Sequence, residues 1–248
     1  MSHPRPIARP ARTDAADAEA LRLDGALALL RHSGVELPAG FDARRPGDLQ
    51  QLVDALCTLS SRDALTGLPN RRHFEAALAA EIDRVARAGE SALLLMLDVD
   101  HFKRVNDTHG HAAGDSVLRE VARALADSVR PMDTVARFGG EEFAVILPNC
   151  EPSVGHNVAE RIRASIHRRR VDVAPGVGLQ VTVSIGGAFA PRWVRTSADL
   201  WIERADQQLY RAKSAGRNQT HLEMPPATSV SAEEKGLLFA ASTFRDTE

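Results

Sequence analysis

The stretch ARFGGEEFAVILP, residues 136–148, sets two short apolar runs on either side of Gly139-Gly140. Such runs around a glycine pair read as a β-hairpin, and the pair suits the positive-φ turns that join twisted strands. A hairpin needs its glycines. It does not need adjacent carboxylates, yet Glu141 and Glu142 follow directly. The hairpin bears on the fold, because an antiparallel pair excludes a purely parallel doubly wound sheet.

Outward from the hairpin, helices and strands alternate. NRRHFEAALAAEIDRVARAG, residues 70–89, puts Phe74, Leu78, Ile82 and Val85 on one helical stripe, with Asn70 as N-cap. SALLLMLDVD, residues 91–100, is an apolar run ending in acids and reads as a central strand covered on both faces. GDSVLREVARALADSV, residues 114–129, and PSVGHNVAERIRASI, residues 152–166, read as helices, the second with Val154, Val158, Ile162 and Ile166 in line. LQVTVSIGGAFA, residues 179–190, reads as a strand whose Gly186-Gly187 marks a bulge or a close approach. SADLWIERADQQLYRAKSAG, residues 197–216, is a last helix stopped by Gly216. The fold class is α/β in the α+β sense: a palm-like or ferredoxin-like mixed sheet flanked by helices.

The ends are organised differently. Residues 1–15 are rich in Pro, Arg and Ala and read as disordered. Residues 16–62 read as a small helical region. Leu23, Leu27 and Leu30 share a face before Gly34, and Leu49, Leu52, Leu56 and Leu59 form a short heptad seam. That seam fits a helix packed on its own domain or a dimer stalk. The alternating pattern of helices and strands spans 63–222. Residues 223–248 read as a flexible tail with a short helical stretch, SAEEKGLLFAA, at 231–241.

Bulk numbers narrow the function classes. The 248 residues are 44% hydrophobic and 26% charged, with a formal net charge of -2, so no global positive field points to nucleic acid or an anionic membrane. Polymerase-like chemistry, which paired carboxylates on a palm-like sheet would suit, lacks the basic surface it needs. Cys57 and Cys150 sit in no metal-ligand spacing and read as reduced packing thiols, which suits a cytoplasmic location. The longest apolar run, residues 92–97, is too short to span a bilayer. The N-terminus has no apolar signal-peptide region.

The candidate chemistry gathers at strand ends. Asp98 and Asp100 close the buried strand, and Glu141 and Glu142 follow the hairpin glycines. Taken singly, each acid is a solvated charge. Taken together, Asp98 and Glu141 on neighbouring strands would repel unless a cation lay between them, and hard oxygens beside water and phosphate suit Mg²⁺. DHFKRVNDTHGHAAGD, residues 100–115, reads as a polar loop leading into a helix. Its Asn106 and Asp115 can read a guanine edge, and backbone N–H groups beside Lys103 can hold phosphate. No Walker-type phosphate loop is present. His109 and His111 lack a third zinc ligand. Lys213 and Arg217, four apart, fit either a helix C-terminus or a triphosphate.

These blocks resemble a known family. GGEEF at 139–143 is similar to the signature of GGDEF-domain diguanylate cyclases, in its Glu variant. DALTGLPNRRHF, LDVDHFKRVNDTHGHAAGDSVL, VSIGGA and ADQQLYRAKSAGRN resemble the family's other blocks, in the same order, over residues 63 to about 221. The resemblance implies a domain that binds one GTP with Mg²⁺ or Mn²⁺. Two such domains would meet as a homodimer and condense two GTP into cyclic di-GMP with loss of two pyrophosphates.

Carried over by position, Asp98, Glu141 and the Val99 carbonyl would hold metal. Glu142 would be the general base for the ribose 3′-hydroxyl or a further metal contact. Asn106 and Asp115 would hold guanine, with Asp115 favouring GTP alone. Lys103, Lys213, Arg217 and the backbone at Phe102 would hold phosphates. Gly139 and Gly140 would let the nucleotide approach bare backbone. Arg130 and Asp133, an R-x-x-D just upstream, resemble the family's inhibitory site for cyclic di-GMP, with Arg161 as a secondary contact. The competing expectation is a catalytically silent module that binds GTP or cyclic di-GMP and signals through contacts.

Overall fold

The structure is a computed structural model that describes residues 22–174, 176–190 and 195–223. The expected disorder at 1–15 and the short helix at 231–241 lie outside the described residues. The chain divides into two units, residues 1–60 and 61–248.

The first unit contains α1 (Asp24–His32) and most of α2 (Pro46–Ser61). Gly34, at φ +71, follows the end of α1. Of the seam leucines on α2, only Leu52 is buried; Leu49, Leu56 and Leu59 are partly covered, and Val53 is exposed.

In the second unit, α3 (Arg71–Ala88) starts where Asn70 accepts the His73 N–H, the cap expected from sequence. It ends at Gly89, in the left-handed region. The central strand β1 (Ala92–Val99) is buried at all eight positions. Next come α4 (Phe102–His109), α5 (His111–Asp127), β2 (Thr134–Arg137), β3 (Glu142–Pro148) and α6 (Pro152–Arg168). A two-stranded ribbon, β4 (Val171–Ala174) with β5 (Val177–Leu179), stands apart from the main sheet. Then β6 (Val183–Phe189), α7 (Ala198–Ser214) and β7 (Thr220–Glu223) complete the described chain.

The sheet runs β2-β3-β1-β6-β7. The pairs β2–β3, β3–β1 and β1–β6 are antiparallel, and β6–β7 is parallel, so the sheet is mixed as the hairpin required. Alternation along β1 feeds two cores. Leu93, Leu95, Leu97 and Val99 join residues of α4, α5 and α6. Leu94 and Met96 join Phe74, Leu78 and Ile82 of α3 and Trp201, Ala205 and Leu209 of α7. An apolar run without alternation is what a strand covered on both faces needs.

Four expectations are corrected. Residues 102–109, read as a loop, form α4: Phe102 is buried and Val105 packs behind it, so two apolar side chains suffice and a longer stripe never develops. Gly110, at φ +82, then breaks α4 from α5, which begins at His111 rather than Gly114. The strand read over 179–190 is β6 alone, 183–189; Leu179 belongs to the separate ribbon. Val154 does not join the α6 stripe and is 41% exposed. There the helix meets the sheet through Gly155, where a Cβ would come within 2.8 Å of Leu93 and Phe189.

Candidate active site

The β2–β3 turn does not work as the sequence implied. Neither Gly139 nor Gly140 is among the positive-φ residues of the described chain. The Phe138 and Gly139 N–H groups both donate to the Glu142 carbonyl, at 2.9 and 3.2 Å. What the glycines provide is room. A Cβ on Gly139 would lie 2.6 Å from Glu142 Oε2, and Gly140 faces open space.

The turn is held from outside. Arg137 donates through Nε and Nη2 to the Gly140 carbonyl, at 3.2 and 2.7 Å. Its Nη1 donates to both carboxylate oxygens of Asp63, at 3.1 and 3.0 Å. Burial alone would raise the Asp63 carboxyl, but the Thr66 hydroxyl and N–H and the Arg137 guanidinium together hold it below its ordinary value. Phe138 meets Phe74 edge-on at 5.3 Å, and the Arg71 guanidinium lies 4.5 Å from the centre of its ring. Sequence reasoning assigned nothing to Asp63 or Arg137. Their spacing of 74 residues carries no local signal.

Asp98 sits at the C-terminal end of β1, opposite Glu142 in the strand register, and the Val99 N–H donates to the Glu141 carbonyl at 3.2 Å. Lys213 Nζ lies 2.7 Å from Asp98 Oδ2. Burial raises the Asp98 carboxyl and the charge of Asp100 adds to it, against the pull of Lys213 and Arg217. Glu141 is also raised, by burial and then by Asp98. Asp98 and Glu141, the two acids read together from sequence, thus lie close enough for the charge of one to act on the other.

Asp100, which closes the same strand, is a staple. It accepts from the Thr182 and Ser184 hydroxyls, each at 2.6 Å, and from the Asn218 N–H at 3.0 Å. Asn218 and Arg217, both at positive φ, form the turn after α7. Gly186 is a close approach, not a bulge: the β1–β6 register is unbroken, and a Cβ there would fall on the backbone of Ala205 and Leu209. Sequence reasoning missed Asp206 on α7. Burial and then the charge of Glu142 raise its carboxyl.

On the other side, α4 begins without a side-chain cap after His101, a left-handed residue at φ 57. Phe102 and Lys103 occupy its first turn, where unpaired N–H groups and the helix dipole favour an anion. Gly114 lets α5 lie against Asn106, since a Cβ would strike Asn106 Oδ1. This sets Asn106 beside the residue that precedes Asp115.

Arg130, Asp133 and Arg161 are brought together elsewhere. They line a shallow pocket with Cys150, Val154 and Val158. Asp133 accepts the Arg130 N–H at 2.7 Å, and Arg161 donates to the Ser128 carbonyl at 3.0 Å. Burial raises Asp133 despite both arginines. This cluster precedes β2 and the glycine turn follows it, so about 13 Å of strand separates them.

Among the described residues no group of three or more His, Cys, Asp or Glu gathers as a metal cluster, His109 and His111 included. Two carboxylates and a strand-end carbonyl are a partial oxygen set. That suits an ion such as Mg²⁺, which keeps waters and takes substrate phosphate oxygens. Both cysteines are free, and no described helix is long and apolar enough to cross a membrane.

Residues 60–219 match the family described as diguanylate cyclase, GGDEF domain. Response regulator PleD of Caulobacter vibrioides is 40% identical over 171 residues, covering 68% of this chain and 37% of that protein. Diguanylate cyclase DgcP of Pseudomonas aeruginosa is 46% identical over 158 residues, covering 63% and 23%. The chain thus spans less than half the length of these curated relatives. Among solved structures, the coiled coil and GGDEF domain of DgcB from Caulobacter crescentus, in complex with c-di-GMP, is similar with a TM-score of 0.66 at 33% identity. It covers 71% of this chain and 92% of that one. Diguanylate cyclase SiaD of Pseudomonas aeruginosa, solved with its activator SiaC, has the same TM-score at 37% identity, covering 81% and 73%.

Proposed function

This chain belongs to the GGDEF family, and on that premise we propose that it is a diguanylate cyclase, condensing two GTP into cyclic di-GMP. The observation that carries the reading is Asp98, buried at the end of β1 with Lys213 against it and Glu141 and Glu142 beside it. Acids and a cation converge beside a turn cleared of side chains.

In this reading Asp98, Glu141 and the Val99 carbonyl hold Mg²⁺ or Mn²⁺. The ion neutralises charge on phosphate oxygens and lowers the pKa of the attacking hydroxyl. Asn106 and Asp115 hold guanine, and Asp115 favours GTP over ATP. Lys103, Lys213, Arg217 and the N–H groups at Phe102 hold the triphosphate, with Gly139 and Gly140 leaving space beside it. Glu142 takes the proton of the ribose 3′-hydroxyl or completes the metal contacts. The 3′-oxygen bonds to the α-phosphorus of the opposing nucleotide. The bond from that phosphorus to the bridging oxygen of the leaving phosphates breaks, and pyrophosphate departs. Repeating the step in the other direction closes the ring.

One domain holds one nucleotide, so two domains must meet face to face. The helical region before residue 61 serves to bring them together or to bind a partner; a truncation starting near residue 60 that kept full activity and the same oligomeric state would remove that role. The Arg130, Asp133 and Arg161 cluster binds the product and inhibits, since guanidinium groups suit a guanine edge or a phosphate.

The test is turnover of GTP with Mg²⁺ across a range of protein concentrations, with the product identified by mass. Specific activity should rise with concentration, and the product should be cyclic di-GMP. No product from protein forced to dimerise sinks the proposal. GTP binding without turnover returns the silent, signalling module.

A further inference from the structure

We propose that Lys213 is a built-in counter-cation, which competes with the metal for Asp98 and yields when a triphosphate takes it up. This rests on the metal and nucleotide reading above.

Lys213 Nζ is 2.7 Å from Asp98 Oδ2, and the Asp98 side chain is only 10% exposed, so the carboxylate end of the pair is shielded from water while the lysine is partly exposed. The lysine is not a loose surface group. Gly186 seats α7 directly on the β6 backbone at Ala205 and Leu209, one turn before Lys213. Beyond it, the Asn218 N–H is bonded to Asp100. The last turns of α7 are therefore fixed to the sheet on both sides of the lysine. Asp98 stands among the charges of Asp100 and Glu141. Asp100 is satisfied by two hydroxyls and an N–H. Lys213 is the cation in contact with Asp98, and Arg217 acts on it from farther away.

A divalent ion on Asp98 would lie close to this ammonium, and like charges repel strongly where water is scarce. Metal arriving alone must push Lys213 off and leave it without a carboxylate in a site where it is only 32% exposed. Metal arriving with a triphosphate avoids that cost, because the phosphate oxygens accept the ammonium. The protein thereby couples the two ligands: each tightens the other by the same factor.

Mn²⁺ binding, read from the free-ion electron paramagnetic resonance signal, tests this without turnover. Wild type, K213M, R217M and D98N are titrated with Mn²⁺ alone and with a non-hydrolysable GTP analogue, after circular dichroism confirms each is folded. K213M should bind Mn²⁺ alone about tenfold more tightly than wild type, as expected for removing one nearby like charge. R217M should change less, and D98N should lose the site. The analogue should tighten Mn²⁺ binding in wild type far more than in K213M. Equal or weaker binding of Mn²⁺ alone by K213M overturns the proposal. So does equal tightening by the analogue in both proteins, or Mn²⁺ binding that survives D98N. Results as expected from a protein that makes no cyclic di-GMP would sink the cyclase reading and leave the role of Lys213 standing.

Discussion

At the end of β1 stand two carboxylates, Asp98 and Asp100, and their surroundings give them opposite work. Asp100 is enclosed: hydroxyls of Thr182 and Ser184 and the Asn218 N–H occupy it. Asp98 is held by one lysine and stands near like charges. A carboxylate saturated by neutral donors is structural. One balanced by a single displaceable cation is available to a ligand.

The sharpest way to break this contrast is to neutralise Asp98. Asp98→Asn should lower cyclic di-GMP synthesis by at least about 10³-fold, the scale of losing a charge-stabilising group in the transition state. It should also melt higher at pH 7. The sign follows from burial. The folded carboxyl is raised above 3.8, so the folded state binds the proton more tightly, and stability falls as pH rises through that window. Removing the charge removes the penalty. A lower melting temperature for the variant would erase the distinction.

Asp100→Ala should behave in the opposite way, losing about 2 to 3 kcal/mol in urea unfolding as one buried and two partly buried donors lose their acceptor. Unchanged stability would mean that the staple carries no load.

Arg137→Lys should cost about tenfold or more in kcat with less change in KM, since the fork on Gly140 and Asp63 positions the turn rather than the substrate. Asp63→Asn should destabilise at pH 7. That loss should fade in acid below the ordinary value of 3.8, where the wild-type carboxylate itself takes up its proton. A change in KM alone for Arg137→Lys would move the residue from positioning to binding.

The smallest effect belongs to the far end of the hairpin. Arg130→Ala should straighten progress curves that otherwise bend as cyclic di-GMP accumulates, by a few-fold in the product concentration needed. Curves that bend as before would detach this pocket from the product.

Legibility in the sequence followed the range of the interaction. The central strand, the long helices, the hairpin and the strand-end acids were readable, because periodicity and blocks of neighbouring residues carry them. The helix α4 was not, because Phe102 and Val105 are its only apolar anchors on an otherwise polar segment. The ribbon of β4 and β5 is too short to register. Of the two jobs expected of the glycines, the positive-φ turn is absent and the open space is there at Gly140, and the packing at Gly139 depends on where Glu142 folds back. Asp63, Arg137 and Asp206 matter through partners distant in sequence, and no spacing rule reaches them.

The clamp of Arg137 on Asp63 has a mechanical consequence. The Asn70 N–H holds the Ser61 carbonyl at 2.8 Å, and the Arg137 N–H holds the Pro69 carbonyl at 2.9 Å. The entry of the chain into this unit and the Gly139-Gly140 turn are thus cross-braced like members of one truss. A displacement of the chain at residue 61 would therefore strain the same bonds that hold the turn.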